Sequence, residues 1–256
     1  MSVQPAIAVV VSTWSGSPPD NLVSLCRSMD RHAAGLPYDL ILTANGPDYA
    51  LSPRLADRFQ AVFVRENVGY NLGAWDHAWR RLLGYDRFLF LQDDCVVTRR
   101  KWLTRFNQCF EDTPLCGLVG EYIPSKYAKA WSELIDPRSR SFATWEGTER
   151  VAEMTFFRVQ LAQWGIPEGD SARAVTAVVQ YTSRDILKLV DGYNIGRTKS
   201  EAIAAEMAFS RKVEAQGFAL TQLGRYRHSV ISHPQWPSDH PIARLKRSII
   251  KRLLLR

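Results

Sequence analysis

The sequence predicts an α/β protein in which helices cover both faces of a mostly parallel sheet. Before residue 111, short apolar runs alternate four times with longer stretches of helical periodicity. The runs are rich in β-branched residues and lack a polar side, as in strands that are buried between two layers of helices. Polar turns at 15–20 and 45–47 follow the first two strands, which suits strand-to-helix crossovers.

The elements of this first half follow from the same pattern. Asp20 is the predicted N-cap of the first helix, and Leu72, Trp75 and Trp79 form the apolar face of the third. The predicted strands are 6–11, 38–43, 61–64 and 88–91. The predicted helices are 21–32, 51–59, 71–83 and 102–110.

After Gly120 the pattern loosens. Residues 121–170 mix aromatic, proline and charged residues without clear periodicity, and their aromatic rings suit either sugar stacking or core packing. No internal repeat or low-complexity linker occurs. The elements predicted further on are a strand at 174–181, helices at 184–190 and 201–216, and a strand at 218–223.

Composition indicates a globular protein of the cytoplasm. Of the 256 residues, 46% are hydrophobic and 23% are charged, which predicts a sizeable core. We expect no membrane-spanning helix, because no apolar run reaches about 18 residues, and no secretion signal, because no basic leader precedes the first apolar run. The four cysteines form no CxxC pair, so we expect reduced thiols rather than a zinc or disulfide framework.

Positive charge is concentrated at the C-terminus. The net charge is +7, and residues 242–256 contain six basic residues and no acid, so the rest of the chain is +1. This stretch predicts a basic amphipathic helix, which favours an anionic membrane surface and a peripheral position at the inner face of the cell membrane. A solvated helix is the alternative, and nucleic acid is disfavoured because the body carries no binding motif. The apolar residues at helical spacing are Ile242, Leu245, Ile249, Leu253 and Leu254.

The segment 65–98 carries most of the chemical information. A loop that contains Gly69 and Gly73 opens onto the third predicted helix, and the next strand ends in two adjacent carboxylates, Asp93 and Asp94. In open sheets of this kind, phosphate-bearing ligands bind at the carboxyl ends of the strands. Acidic side chains at such an edge can hold a divalent cation, which in turn can hold a diphosphate.

The order of these motifs resembles glycosyltransferase family 2 and its relatives with the GT-A fold. A strand followed by Ser12-Thr13, a strand followed by Asn45-Gly46, the loop 67–74 and the acidic segment 91–98 carry the resemblance. It implies an inverting transferase of polysaccharide biosynthesis. The enzyme would move a hexosyl or deoxyhexosyl group from a UDP-, dTDP- or GDP-linked donor to a saccharide or lipid-linked saccharide.

The resemblance also implies a division of the chain. Residues 1–120 would form the nucleotide-sugar half of a GT-A domain and residues 121–225 its acceptor half. Residues 226–256 would form a C-terminal extension.

Several donor-site residues follow from the resemblance. Asp94 matches the last acid of a DxD motif and is the expected ligand of Mn²⁺ or Mg²⁺, while Asp93 would contact the ribose or order the loop. Gln92 stands where many relatives carry the first acid. Thr13 and Asn45 match positions that line the nucleobase pocket, with cap or turn roles as the alternative. The nucleotide-loop residues that match are Asn67, Gly69 and Gly73.

A transferase of this kind also needs a general base, because an acceptor hydroxyl has a high pKa and must lose its proton during attack. By resemblance Glu206 occupies that position, and Glu201 is its rival. His233 matches a late histidine that completes the metal shell in many such enzymes. The candidates for steadying phosphate are Arg225 and Arg227.

Two other classes of function remain open at this level. A nucleotidyltransferase also uses a glycine loop and acids on such a sheet, but no glycine-rich run with Arg and Lys follows the first strand. A non-catalytic, membrane-associated protein that binds a sugar or nucleotide on a degenerate transferase fold is the second alternative. Its main support is Gln92, because a neutral amide is a poor substitute for a carboxylate ligand.

Overall fold

A computed structural model gives the structure of the chain and describes residues 6–134, 141–143 and 150–234. The strands are β1 Ile7–Trp14, β2 Asp39–Asn45, β3 Ala61–Arg65, β4 Arg87–Gln92, β5 Val96–Val97, β6 Cys116–Gly120, β7 Ser141–Ala143, β8 Arg150–Ala152, β9 Val179–Ser183, β10 Ala219–Gln222 and β11 Ile231–Ser232. The α-helices are α1 Pro19–Arg31, α2 Pro53–Ala56, α3 Tyr70–Arg81, α4 Trp102–Asp112, α5 Trp131–Leu134, α6 Glu153–Gln163, α7 Arg184–Leu189 and α8 Lys199–Ala215.

Seven of these strands form one central sheet in the order β10-β6-β9-β4-β1-β2-β3. β9 runs antiparallel to β4 and β6, and the other neighbouring pairs are parallel. The expected α/β architecture, a mostly parallel sheet flanked by helices, is therefore confirmed. A second, small sheet pairs β5 with β11 antiparallel and joins the chain after Asp94 to the chain before His233.

The core lies on both faces of the sheet because successive strand residues point to opposite sides. On one face Val9 and Val11 of β1 pack in a cluster with α1 and α4. On the other face Val10 packs in a cluster with α3, α7 and α8. Burial of β1 on both faces explains why its sequence reads as one continuous apolar run.

A third hydrophobic cluster packs against α8. It contains residues of α6, a helix that was not predicted from the sequence. Phe156, Phe157 and Leu161 of α6 pack there with Met207 and Ala208 of α8. The helix has no obvious apolar stripe in sequence because polar Glu153 and Gln160 are buried on it together with the apolar residues. This blurs the 3.6-residue period on which the prediction depends.

Some predicted boundaries were wrong. Asp20 does not cap α1, because Pro18 occupies the N-cap position and Asp20 lies in the first turn. The strand predicted at 174–181 instead begins at Val179 and runs to Ser183. Its expected first residues bind side chains rather than a neighbouring strand: Val175 N donates to Ser210 Oγ at 3.0 Å, and Ala177 N donates to Glu206 Oε2 at 3.0 Å.

The predicted amphipathic helix at 242–256 lies outside the described residues. Among the residues that are described, none of the helices is both long and apolar enough to cross a membrane.

Candidate functional site

A cavity of about 580 Å³ opens at the carboxyl ends of β1, β2 and β4. This is the edge of the sheet where the sequence analysis placed the acidic pair and the polar strand ends. The residues that line the cavity are Ser12, Thr13, Trp14, Ser17, Pro18, Asn21, Asn45, Asn67, Tyr70, Asn71, Gln92, Asp93, Asp94 and Lys199. Five of the predicted site residues thus share one cavity: Thr13, Asn45, Asn67, Asp93 and Asp94.

Asp93 ties the end of β4 to the end of β1. Its Oδ2 accepts hydrogen bonds from Thr13 Oγ1 at 2.6 Å and from Ser17 Oγ at 2.5 Å. Burial raises the pKa of this carboxyl, and the two hydroxyl donors act against that rise. Asp93 therefore orders the loop between β1 and α1. Ser17 was missed in the sequence because a serine in a polar turn carries no signal of a distant partner.

Asp94 lies next to His233, 139 positions further along the chain. Asp94 Oδ1 is 3.0 Å from His233 Nε2, and the imidazole is buried while the carboxylate is partly exposed. Asp94 Oδ1 is itself buried and accepts no hydrogen bond of good geometry from the described residues. A carboxylate oxygen thus lies within ion-pair distance of an imidazole nitrogen.

The pair fits two adjacent ligands of a divalent cation. Two ligands at right angles, each about 2.1 Å from a cation, are about 3.0 Å apart. A carboxylate oxygen suits Mn²⁺ or Mg²⁺, and the imidazole nitrogen favours the transition metal Mn²⁺ over Mg²⁺. Within residues 6–134, 141–143 and 150–234, no group of three or more His, Cys, Asp or Glu side chains gathers for a metal. The remaining ligands would be water and phosphate oxygens, the usual arrangement for a cation that binds together with a phosphorylated substrate.

Asn45 is engaged at both ends of its amide. Its Nδ2 donates to Tyr70 O at 2.8 Å, and its Oδ1 accepts from Arg65 Nη1 at 2.6 Å. Arg65 Nη1 also donates to Val68 O at 2.9 Å. These bonds give Asn45 the turn-ordering role that the sequence left open, on the wall of the cavity.

Gly69 and Gly73 shape the loop that enters α3 but do not line the cavity. Gly69 has a φ of 76°, and Tyr70 after it has a φ of 54°, which is unusual for a residue with a side chain. A Cβ on Gly73 would lie 2.1 Å from Val68 O, closer than any real contact. The glycines therefore allow a sharp turn that presents Asn67, Tyr70 and Asn71 to the cavity.

One residue, Ala177, connects the cavity to the predicted base through its two backbone polar groups. Asn71 Nδ2 and Gln92 Nε2 both donate to Ala177 O, at 2.6 and 2.7 Å. On the other side, Ala177 N donates to Glu206 Oε2 at 3.0 Å. Glu206 does not line the cavity; one residue, Ala177, separates it from Asn71 and Gln92, which do.

The environment of Glu206 suits a proton acceptor. Burial raises its pKa to about 7, and the hydrogen bond from Ala177 N opposes that rise. A carboxylate with such a pKa can exchange a proton near neutral pH. The rival Glu201 has a structural role: its Oε2 accepts from Arg197 N at 2.6 Å and its own N–H donates to Thr198 Oγ1, in the manner of a capping box.

Lys199 is the cationic residue on the wall of the cavity, whereas the sequence had offered Arg225 and Arg227. It is the first residue of α8, where the helix dipole favours anions and disfavours a lysine. A basic residue at that position was a usable signal, because a helix N-terminus with an ammonium group forms an anion site. Trp14 and Tyr70 were also missed; 51% and 42% of their surfaces are exposed.

No protein-family model matches the chain, and no curated protein matches it either. Solved structures do share its fold. One is the mannosyltransferase PcManGT from Pyrobaculum calidifontis, in complex with GDP-Man and Mn²⁺, at 13% identity and a TM-score of 0.51. That match covers 86% of this chain and 55% of the other.

A second similar structure is the apo form of the bifunctional enzyme WbbM, at 15% identity and a TM-score of 0.45. The match covers 86% of this chain and 39% of WbbM. The chain therefore spans about half or less of the proteins it resembles. At such identities the likeness to PcManGT shows a common fold, and membership of glycosyltransferase family 2 stays a prediction.

Proposed function

We propose that the chain is a glycosyltransferase that uses a nucleotide-diphosphate sugar and a divalent cation. The observation that carries the proposal is the Asp94–His233 pair, 3.0 Å apart, because Asp94 lines a cavity that Lys199 also lines. The pair is suited to bind a divalent cation. The cation and Lys199 together supply positive charge that is suited to bind a diphosphate. The fold shared with PcManGT, a mannosyltransferase in complex with GDP-Man and Mn²⁺, supports the same reading.

The donor would bind along the ends of β1, β2 and β4. Thr13, Asn45 and Asn67 offer polar groups to the nucleobase end, and the exposed ring of Trp14 offers it a stacking surface. Asp93 Oδ1, which takes neither of the two hydroxyl hydrogen bonds, would contact the ribose while Oδ2 orders the loop. The diphosphate would lie between Lys199 and the Asp94–His233 pair, with Gly69 and Gly73 shaping the loop beside it. UDP-, dTDP- and GDP-linked sugars all fit this chemistry.

The transfer itself requires removal of one proton and stabilisation of one leaving group. The acceptor hydroxyl would attack the anomeric carbon in line, so the product would be inverted. Glu206 would take the proton as the new C–O bond forms, and since it lies behind Ala177 and not on the cavity wall, the proton would reach it through one bridging water. The bond to the diphosphate breaks, and negative charge develops on the phosphate oxygens. Mn²⁺ or Mg²⁺, when bound, supplies a Lewis acid that stabilises this charge. Lys199 adds a second positive charge at the same place.

The first test is turnover in two single variants. Asp94→Ala removes a cation ligand, and Glu206→Gln keeps the shape of the base but not its basicity. Each is expected to lower turnover at least about a hundredfold while the circular dichroism spectrum stays native. Near-native turnover in either variant would remove that residue from the mechanism. Glu201→Gln is the matched control and should retain turnover, because Glu201 caps α8.

The acceptor and the location of the protein belong to the same proposal. The transferred group would be a hexosyl or deoxyhexosyl group, and residues 121–225 would bind the acceptor, a saccharide or a lipid-linked saccharide, in polysaccharide biosynthesis. The basic stretch 242–256 would hold the protein on the anionic inner face of the cell membrane, which suits a lipid-linked acceptor.

A non-catalytic nucleotide- or sugar-binding protein is the second candidate. One observation favours it: Gln92, at the position of a first acid, is committed to Ala177 O and contributes no charge to a cation. That protein would bind a nucleoside diphosphate with Mn²⁺ and transfer nothing.

A further inference from the structure

A buried carboxylate, Glu121, lies beneath the segment that carries His233. It follows β6 directly, and 1% of its surface is exposed. Its Oε2 accepts from Ser229 N at 2.9 Å, and its Oε1 accepts from Val230 N at 3.0 Å and from Ile231 N at 2.6 Å. Three consecutive backbone N–H groups therefore converge on one side chain.

The backbone of this segment forms an anion-binding nest. His228 has a φ of 48°, in the left-handed region, and this turn directs the N–H groups that follow to the same side of the chain. Nests of this kind bind anions in many proteins, and here the anion is the protein's own carboxylate. Burial raises the pKa of Glu121 to about 7, and the three backbone hydrogen bonds oppose that rise. A carboxyl group can accept from all three donors, whereas an amide would turn its own N–H₂ towards one of them.

The opposite side of the same segment is attached to β5. Thr98 N and Thr98 Oγ1 both donate to Val230 O at 2.9 Å. Ser232 of β11 is paired with Val96 of β5. Val96 is two positions after Asp94, and Ser232 is immediately before His233. The register of a two-residue ladder therefore sets how far Asp94 lies from His233, and Glu121 holds the residues that lead into the β11 side of that ladder.

We propose that Glu121 is a positioning residue for the cation site. Its carboxylate holds the N–H groups of 229–231, and thereby keeps His233 Nε2 beside Asp94 Oδ1. The inference rests on the proposed function, because it assigns a purpose to the Asp94–His233 pair. It adds a residue that neither touches the cation nor lines the cavity, and that has no counterpart among the motifs of the sequence. A purely stabilising role for Glu121 would leave cation affinity unchanged.

The test is Mn²⁺ binding, followed by the electron paramagnetic resonance signal of free Mn²⁺, alone and with UDP, GDP or dTDP. Glu121→Gln is expected to weaken binding about 10- to 100-fold, the usual loss when a group that orients a ligand is removed. Glu153→Gln is the matched control. Glu153 is also a buried acid, bonded to Tyr127 Oη at 3.2 Å, but it lies on α6 away from the pair. Its variant should bind Mn²⁺ as the wild type does.

The outcomes separate the two proposals. If the wild type binds no Mn²⁺, or if His233→Ala binds it equally well, the metal-dependent function fails and the inference fails with it. If the wild type binds Mn²⁺ through His233 and folded Glu121→Gln binds it equally well, the inference alone is overturned.

Two further measurements cover the case in which Glu121→Gln does not fold. Thr98→Val changes an exposed side chain and removes one donor to the same segment, so it should fold and weaken Mn²⁺ binding several-fold; unchanged binding would overturn the inference. Hydrogen exchange of the metal-free wild type gives a readout without any cation. The amides of 229–231 should be protected from exchange as strongly as those of β6. Rapid exchange of these amides would contradict the proposal that Glu121 holds them.

Discussion

Glu206 combines a position behind the cavity with a pKa of about 7 that results from burial. A base must be ionised to accept a proton, so the raised pKa places its useful range above neutral pH. We predict that kcat/KM rises with pH and levels off above about 7, because the fraction of ionised Glu206 follows the same curve. In Glu206→Gln the residual activity should lose this rise. A wild-type profile that is flat from pH 5 to 8 would rule out Glu206 as the base.

The hydrogen bond that Gln92 makes explains why a glutamine, and not an acid, occupies this position. Gln92 Nε2 donates to Ala177 O, which a carboxylate cannot do, and the N–H of the same residue, Ala177, donates to Glu206. Gln92→Glu should therefore destabilise the fold by about 1–3 kcal/mol, the cost of two facing acceptors, and lower kcat without tightening Mn²⁺ binding. Gln92→Leu should lose less stability, because Asn71 still donates to Ala177 O. Urea unfolding and Mn²⁺ titration measure both, and tighter Mn²⁺ binding in Gln92→Glu would contradict this role.

The sequence could predict residues at strand ends but not the partners that reach them from far away. Thr13, Asp93 and Asp94 lie at the carboxyl ends of two parallel strands, β1 and β4. Such ends meet at the same edge of the sheet, so the proximity of these residues could be predicted. Glu121 and Ala177 were not foreseeable: one is an acid after a strand, the other a backbone group in a region without periodicity. Their roles depend on contacts more than 25 positions away, which no local pattern encodes.

At the scale of elements, the loop between β3 and α3 offers a clear test. Gly→Ala in a helix is ordinarily stabilising. At Gly73 the same substitution should be destabilising, because the new Cβ would lie 2.1 Å from Val68 O. We expect Gly73→Ala to lose about 1–3 kcal/mol of unfolding free energy and to bind a nucleoside diphosphate more weakly.

Gly84→Ala is the matched control for that substitution. A Cβ on Gly84 would meet nothing within 4 Å, so its unfolding free energy and nucleotide affinity should stay near those of the wild type. Denaturant unfolding and calorimetry give the two quantities. If Gly73→Ala left the unfolding free energy and the nucleotide affinity unchanged, the loop would tolerate a wider turn and the glycine would not be required.

Helices and strands with a clean period were predicted well, and elements with blurred patterns were not. The strands β1 and β4 were recognised because burial on both faces leaves a continuous apolar run, and the helix α8 was recognised with Gly217 as its end signal. The helix α6 buries Glu153 and Gln160, so its polar and apolar positions do not separate. Residues 174–178 are apolar like a strand, but side chains of α8 take up their N–H groups.

At the scale of the whole molecule, charge is divided between a nearly neutral body and a basic end. Residues 242–256 carry six of the seven net positive charges, so electrostatic attraction to a surface should depend on them. We predict that a chain ending at Pro234 loses binding to vesicles that contain anionic lipid and retains binding to a nucleoside diphosphate. Sedimentation with vesicles measures the first and calorimetry the second. Equal vesicle binding with and without this stretch would refute the assignment.

The central claim is that the cavity at the ends of β1, β2 and β4 binds a nucleoside diphosphate together with a divalent cation held by Asp94. Calorimetric titration of the full chain with UDP, GDP and dTDP, each with and without Mn²⁺, tests it most directly. We predict that at least one nucleotide binds, that Mn²⁺ tightens its binding, and that Asp94→Ala abolishes the effect of Mn²⁺. Absence of binding by all three nucleotides in the presence of Mn²⁺ would contradict the account.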